Sequence, residues 1–548
     1  MLGGFLFPFA AFGLGGQLLY RHVFSSYMGR DTLRLGIGLR GTVGAWLAGW
    51  ATPGAIALAL ALGVVLALAL YALVRGGRRG ASGPVPLAPP ALFVGALVVI
   101  WFDQVDSRFL QAATPDVCFA HGVVHAVRMG ATGQWAVRQG VSMRAPAALP
   151  PLVSARARRS DVVVILTESV RADALCSDPP PLCRARFLDE VAGDRIALGK
   201  LTSQTPNTFS ASMILWTGMP PNVDFASAHA APVIWELARA LGYRTGYVTA
   251  QNDKYEDFGA FFRRAGIDVL VTATDLGGMK QEQLGAPDER AAAEALRFVR
   301  SVPEGTPYLA VLQLSNTHAP YRAEAGLEPY SPHSDRPLGS IGELRNHYRN
   351  AVLLQERTLA AFVGELRRSP RWDDTVVVLL SDHGEQFREH AGLYHNHSLY
   401  DEELRIPGFV VAGARVLEAG ERAAIATFRG RRTYTQDVHA TLVDLLGLHD
   451  ARGALPLGAL LSGRSLLRES SGEPPYLLAT STAVWEPDDA RFGVMEGERM
   501  LVGSPASTWT CFDMTRDPLQ RAASPIAACG AMPELAARAF ATAGVPPR

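Results

Sequence analysis

Two apolar runs in this sequence end abruptly in residues able to bind a metal ion. Asp161-Val-Val-Val-Ile-Leu-Thr leads directly into Glu168, and Thr375-Val-Val-Val-Leu-Leu-Ser leads directly into Asp382 and His383. A carboxylate beside an imidazole, followed by Gly384 and Glu385, supplies the hard oxygen and borderline nitrogen donors that Zn²⁺ or Mn²⁺ accepts. A third segment, Thr205-Pro-Asn-Thr-Phe-Ser-Ala-Ser-Met-Ile-Leu-Trp-Thr-Gly, is a polar turn feeding an apolar helix that starts near Thr208. The N–H groups and dipole of a helix start favour an anion, so a hydroxyl there faces a phosphate or sulfate as well as a metal. The structural alternative is a plain N-cap, and Ser203, Thr205 and Ser210 compete with Thr208 for the role. Histidines also cluster: His318 follows the run 308–314 within Ser-Asn-Thr-His-Ala-Pro, and His390, His395 and His397 all fall within fifteen residues of Asp382. Taken singly, each reads as an ordinary core or surface histidine. A threonine hydroxyl is a poor nucleophile at neutral pH. A bound divalent cation, which lowers the pKa of coordinated water from about 15.7 to roughly 7, shifts a coordinated hydroxyl in the same direction.

For these residues to meet, separate strands must end at one edge of a sheet. The runs 161–166, 244–249, 308–314 and 375–380 are short and rich in Val, Ile and Leu. They lack polar alternation, as strands buried on both faces do, and they are separated by helical patterns. The expected fold class is therefore α/β, a mostly parallel sheet sandwiched by helices. In such sheets ligands gather beyond the carboxyl ends of the strands, which is where Glu168, Asp382, His383 and His318 stand.

The chain has 548 residues, 48% of them hydrophobic, with Lys+Arg and Asp+Glu balanced at 52 each. This balance gives no electrostatic reason to expect nucleic acid. Residues 41–74 hold no charged side chain, and apolar runs also cover 2–19 and 85–102. A bilayer crossing needs about 20 apolar residues, so an α-helical transmembrane region is expected over 1–106, with three or four spans depending on 33–50. Arg75, Arg78 and Arg79 place the turn between the two clearest spans in the cytoplasm and everything after residue 102 outside. Arg21, Arg30, Arg34 and Arg40 oppose a simple three-span arrangement. A juxtamembrane linker is expected over 107–159, with a Pro-containing connector at 145–151, and an extracytoplasmic catalytic domain over 160–548. Cys176 with Cys183 and Cys511 with Cys529 bracket short segments and read as local disulfides, which fit an oxidising compartment; Cys118 is left over.

From residue 161 onward the chain resembles the alkaline phosphatase superfamily, in its sulfatase-like membrane branch of phosphoethanolamine transferases and lipoteichoic acid synthases. The resemblance rests on Thr-Glu-Ser-Val-Arg-Ala-Asp from Thr167, Thr208 with Thr217-Gly218, Ser-Asn-Thr-His-Ala-Pro from Ser315 and Tyr-Arg-Asn-Ala from Tyr348. Ser-Asp-His-Gly-Glu from Ser381 and His-Asn-His-Ser-Leu-Tyr-Asp-Glu from His395 continue it, and Cys-Phe-Asp-Met-Thr-Arg-Asp-Pro from Cys511 looks like its closing strand. It implies that Glu168, Thr208, Asp382 and His383 hold one divalent metal, Zn or Mn, and that Thr208 is the nucleophile. His318 and His395 would bind substrate phosphate or a second ion, with His397 able to take the place of His395. The implied reaction moves a phospholipid-derived headgroup, of phosphoethanolamine or phosphoglycerol type, from a phospholipid donor to a cell-envelope lipid or glycan. It would pass through a phosphothreonine intermediate, at the inner membrane, with the catalytic domain facing the periplasm or exterior. The alternatives are a phosphodiesterase or sulfatase-type ester hydrolase, or a tethered binding protein without turnover. True sulfatases resemble one another in a Cys or Ser nucleophile with Pro two and Arg four positions later, whereas Thr208 is followed by Ser210 and Ser212. Phosphoethanolamine transferases resemble one another in cysteines four before and six after the threonine, where this chain has Gln204 and Ile214, which leaves the headgroup open.

Overall fold

Val162 through Leu166 and Val376 through Leu380 are each at most 1% exposed, as expected of β-branched runs sealed on both faces. Each fully buried Val, Leu or Ile contributes about 1.5–3 kcal/mol. These runs are strands of a seven-stranded sheet. In chain order its strands are β1 (Asp161–Thr167), β2 (Ile196–Ala197), β3 (Arg244–Thr249), β4 (Val269–Val271), β5 (Tyr308–Gln313), β6 (Thr375–Ser381) and β7 (Gly408–Ala412). Their spatial order is β2-β7-β6-β1-β5-β3-β4. The five strands from β6 to β4 are mutually parallel, while β7 runs antiparallel to β6 and to β2.

The computed structural model describes Gln17 and residues 147–548, except 158, 180–183, 253–265, 279–284, 337–338, 459–460, 471, 481–490, 505–506 and 542–548. The expected membrane spans, the linker as far as residue 146, Cys118 and Cys183 lie outside the described residues. Among the described residues no helix is long and apolar enough to cross a membrane. The account below concerns the unit formed by Val141–Asp335, Ser340–His390 and Tyr394–Arg548.

Alternation along the strands assigns the two helical layers. Val162, Val164, Leu166 and Tyr247 share a core with α1 (Thr208–Thr217), α2 (Ile234–Ala240) and α5 (Thr435–Leu445). On the other face Gly246 lies against Phe298 of α3 (Asp288–Ser301), which packs on the long α4 (Ile341–Arg367). Helix α1 is buried at all ten positions, which suits a sequence whose only polar side chains are Ser and Thr. It ends at Gly218, where φ is +72° and a Cβ would stand 2.3 Å from the His439 ring, so only glycine fits. A separate four-stranded antiparallel sheet follows: β8 (Tyr476–Ala479), β9 (Phe492–Glu496), β10 (Arg499–Ser504) and β11 (Ser507–Asp513). Helix α6 (Met532–Ala539) covers it, and the Cys511–Cys529 disulfide lies in the same core. Cys176 is also disulfide-bonded.

Register decides what the sheet presents. Thr167 pairs with Ser381, Leu166 with Gln313, and Gln313 with Thr249. Four strands therefore stop on one line, and the residues just past them share one edge.

Candidate active site

Beyond that line, Thr208 Oγ1 lies 3.2 and 3.3 Å from the two Glu168 carboxylate oxygens and 3.2 Å from His383 Nε2. Thr208 is the first residue of α1 and does not cap it. The cap is Asn207, whose side chain accepts from the Ser210 N–H at 2.9 Å. That assignment corrects the plain N-cap reading and frees the Thr208 hydroxyl for other partners. Ser203, one of its rivals, donates to the Thr205 carbonyl at 2.7 Å.

Glu168 and Asp382 are both essentially inaccessible to solvent. Among the described residues neither is paired with Lys or Arg; their ion-pair partner is His383, at 3.5 and 3.6 Å. Asp382 Oδ1 accepts from the Ser169 and His383 N–H groups at 2.9 and 2.7 Å. Its other oxygen, Oδ2, is buried without a hydrogen-bond partner. Burial, then repulsion from Asp382, raises the Glu168 pKa well above the usual carboxylate range. Two buried carboxylates and one orphaned oxygen call for a cation.

The imidazoles are tuned to match. His383 Nδ1 lies 2.8 Å from the Gly384 carbonyl, and His318 Nδ1 lies 2.7 Å from the Ala319 carbonyl. A carbonyl only accepts, so each Nδ1 carries the proton and each Nε2 offers a lone pair. His395 Nδ1 is 3.0 Å from Glu385 Oε1, and its ring centroid is 4.3 Å from that of His383 and 5.6 Å from that of His318. Burial holds His318 and His395 down at about 4, neutral as ligands must be. Two groups able to hold a metal ion result, Glu168–Asp382–His383 and Glu168–His318–His395, each with its donor atoms within 4.8 Å of one another. His397 belongs to neither set; its N–H donates to Glu403 at 3.2 Å. His390 is stacked on Tyr400 with centroids 3.7 Å apart and bonds Glu402.

Several supports come from distant segments. Tyr348 Oη donates to the Ser169 carbonyl at 2.8 Å and accepts from the Arg171 N–H at 2.9 Å, bracing the turn after β1. Ser169, Tyr321, Tyr394 and Asn396 have φ of 54°, 67°, 71° and 72°. These strained residues sit beside the Glu168, His318 and His395 loops, and such strain persists only where the surroundings over-determine it. Gly384 is required where it stands, since a Cβ would meet the Glu402 carbonyl at 2.3 Å. Gln251, two residues past β3, donates to Glu168 Oε2. The same strand-end signal precedes it in the sequence, but an amide is not a metal ligand of the expected kind.

Asp288, fully buried at the start of α3, accepts from the Ser315 N–H at 2.6 Å, from the Asn316 N–H at 3.2 Å and from the Gln355 amide at 3.0 Å. It shapes the loop that carries His318. Asp288→Ala strands those donors and is expected to cost about 3 kcal/mol, read as a shift in urea midpoint with unchanged slope. Burial pushes the Asp288 pKa up to about 6. A raised carboxyl stabilises the fold fully below its unfolded pKa and loses that contribution as pH rises through the folded value. Wild-type stability should therefore fall between about pH 4 and 6, and Asp288→Asn should flatten that segment of the profile.

Comparisons with known proteins agree with this fold. The integral membrane lipooligosaccharide phosphoethanolamine transferase A of Neisseria meningitidis aligns with a TM-score of 0.56 at 16% identity, covering 81% of this chain and 83% of that one. A protein in the alkaline phosphatase superfamily from Vibrio parahaemolyticus aligns with a TM-score of 0.52 at 17% identity, covering 75% and 96%. A lipoteichoic acid synthase of Listeria monocytogenes aligns with a TM-score of 0.50 at 16% identity, covering 70% and 90%. The sulfatase family model matches residues 160–448, more than half of the sequence. The chain therefore belongs to the sulfatase family and is an enzyme of that family.

Proposed function

We propose that this enzyme is a metal-dependent phosphoryl-group transferase that carries a phospholipid-derived headgroup, of phosphoethanolamine or phosphoglycerol type, to a cell-envelope lipid or glycan. The observation that carries the proposal is the uncapped Thr208 hydroxyl, set between Glu168 and His383 at the start of a buried helix. Glu168, Asp382 and His383, with Thr208 itself, would hold one divalent ion, and His318 and His395 with Glu168 a second ion or the substrate phosphate. Zn²⁺ or Mn²⁺ in such a site favours the alkoxide form of a neighbouring hydroxyl and draws electron density from a phosphoryl oxygen.

The chain's own residues supply the rest. Thr208 Oγ1 gives up its proton and attacks phosphorus in line, a P–O bond forms to Thr208, the bond to the first alcohol breaks, and His318 or His395 delivers a proton to the departing oxygen. The positive end of the α1 dipole favours the charge on the phosphoryl oxygens. A second alcohol then takes the group from Thr208, restoring the hydroxyl. Two relatives in fold bear the names of a phosphoethanolamine transferase and a lipoteichoic acid synthase, which supports transfer as a reaction this fold carries. Threonine cannot become the formylglycine of true sulfatases, which argues against sulfate esters. The N-terminal apolar runs and the Cys511–Cys529 disulfide support an inner-membrane enzyme whose catalytic domain faces an oxidising compartment.

Mass spectrometry of envelope lipids from cells carrying wild type or Thr208→Ala tests this. A phosphorylated headgroup species that disappears with the variant is expected. Identical lipid profiles, with purified wild type releasing alcohol from a model diester without any acceptor, would establish the hydrolase reading instead.

A further inference from the structure

A chain of three hydrogen bonds links the aromatic core to Glu168. Tyr247 Oη donates to Gln313 Oε1 at 2.7 Å, Gln313 Nε2 donates to Gln251 Oε1 at 2.9 Å, and Gln251 Nε2 donates to Glu168 Oε2. Tyr247 and Gln313 are buried, and the Tyr247 ring is wedged edge-on against Trp216 and Trp235, with centroids 5.9 and 5.6 Å away. Tyr247 and Gln313 lie on neighbouring parallel strands, and Gln251 stands just past the end of one of them.

A carboxamide has one acceptor end and one donor end, and it can be turned over with almost no change in shape. Two such groups in series therefore have two possible polarities. Glu168 Oε2 accepts, so the Gln251 NH₂ faces Glu168 and the Gln251 oxygen faces the Gln313 NH₂. That leaves the Gln313 oxygen facing Tyr247, whose hydroxyl supplies the hydrogen it needs. Reversing the series would set the Gln251 oxygen against the carboxylate, two acceptors in contact.

We infer that Tyr247, Gln313 and Gln251 form a polarity relay in which Tyr247 acts as a positioning residue, holding the Gln251 N–H on one oxygen of Glu168 and so fixing the carboxylate that would bind the cation. The Ser169 hydroxyl, 2.9 Å from Oε1, restrains the other oxygen. The inference rests on the proposed metal role of Glu168. Outer hydrogen bonds of this kind commonly govern metal affinity by about 10- to 100-fold.

The test is a double-mutant cycle on the purified full chain, with Zn²⁺ affinity measured by competition with a chelating dye and thermal stability followed alongside. Tyr247→Phe keeps every group that touches Glu168, yet it is expected to weaken Zn²⁺ binding by about tenfold, because the buried Gln313 oxygen loses its donor and the two amides are no longer held in place. Gln251→Leu should weaken binding at least as much. In the Gln251→Leu background Tyr247→Phe should cause no further loss, and saturating Zn²⁺ should restore turnover in Tyr247→Phe. Zn²⁺ affinity within twofold of wild type in Tyr247→Phe overturns the relay and leaves the proposed function standing. So does a Tyr247→Phe penalty that persists undiminished without Gln251. Wild-type protein that takes up neither Zn²⁺ nor Mn²⁺ overturns both the relay and the function it rests on.

Discussion

Thr208→Ala is expected to lower kcat on a phosphodiester by roughly 10⁴- to 10⁶-fold, as loss of a nucleophile does in a site whose members act as a unit. At 1.36 kcal/mol per tenfold, that is about 5 to 8 kcal/mol of transition-state stabilisation. Stability should change little in comparison. Asn207 provides the helix cap, and deleting one buried hydroxyl costs about 1 kcal/mol. If Thr208 were only a structural cap, the same change would lower the unfolding midpoint and leave turnover largely intact. Thr208→Ser keeps an attacking oxygen at the same helix position and should retain most of the activity. Steady-state kinetics on a chromogenic diester, beside urea unfolding of the three proteins, separates these outcomes.

Stripping the cation is expected to abolish turnover and also to change how stability responds to pH. Glu168 and Asp382 are buried with no Lys or Arg partner among the described residues, and burial raises the Glu168 pKa well above its ordinary value. In metal-free protein this carboxyl stabilises the fold when protonated, below its unfolded pKa. The contribution is lost as pH rises through the elevated folded value, so the stripped enzyme should weaken steadily from about pH 4.5 upward. Bound Zn²⁺ or Mn²⁺ removes the penalty, and ligand at one hundred times its Kd adds about 2.7 kcal/mol. Unfolding curves with chelator and with added metal, from pH 5 to 8, should therefore diverge as pH increases. Asp382→Asn should bring the two curves together and lose activity that added metal does not restore. Parallel curves across the pH range would mean that no cation occupies this site.

Much of the site's layout is legible in the sequence for one physical reason. A strand sealed on both faces must be apolar throughout, so the first polar residue after it marks the sheet edge, as at Glu168 and Asp382-His383. The same boundary after 308–314 leads to His318. Pairings of strands do not show in such a boundary. The antiparallel β7 and the shared stopping line of β1, β3, β5 and β6 follow from tertiary register. The Asn207 cap was equally hidden, since Asn and Thr are both favoured at helix starts and both occur in the turn. Asp288 and Gln355 act on loops far away in the chain and carry no local mark, while Tyr348 stands in a legible motif that does not reveal the turn it braces. Gln251 had the right position but a side chain that is not an expected metal ligand.

Rapid-quench mass spectrometry of the metal-loaded enzyme during turnover of a phosphodiester tests most directly whether Thr208 attacks phosphorus. The account predicts a transient phosphoryl adduct on the peptide containing Thr208, localised to that threonine and absent from Thr208→Ala and from metal-stripped protein. Full turnover with that peptide unmodified at every time point, or an adduct on Ser203, Thr205 or Ser210 instead, would contradict it.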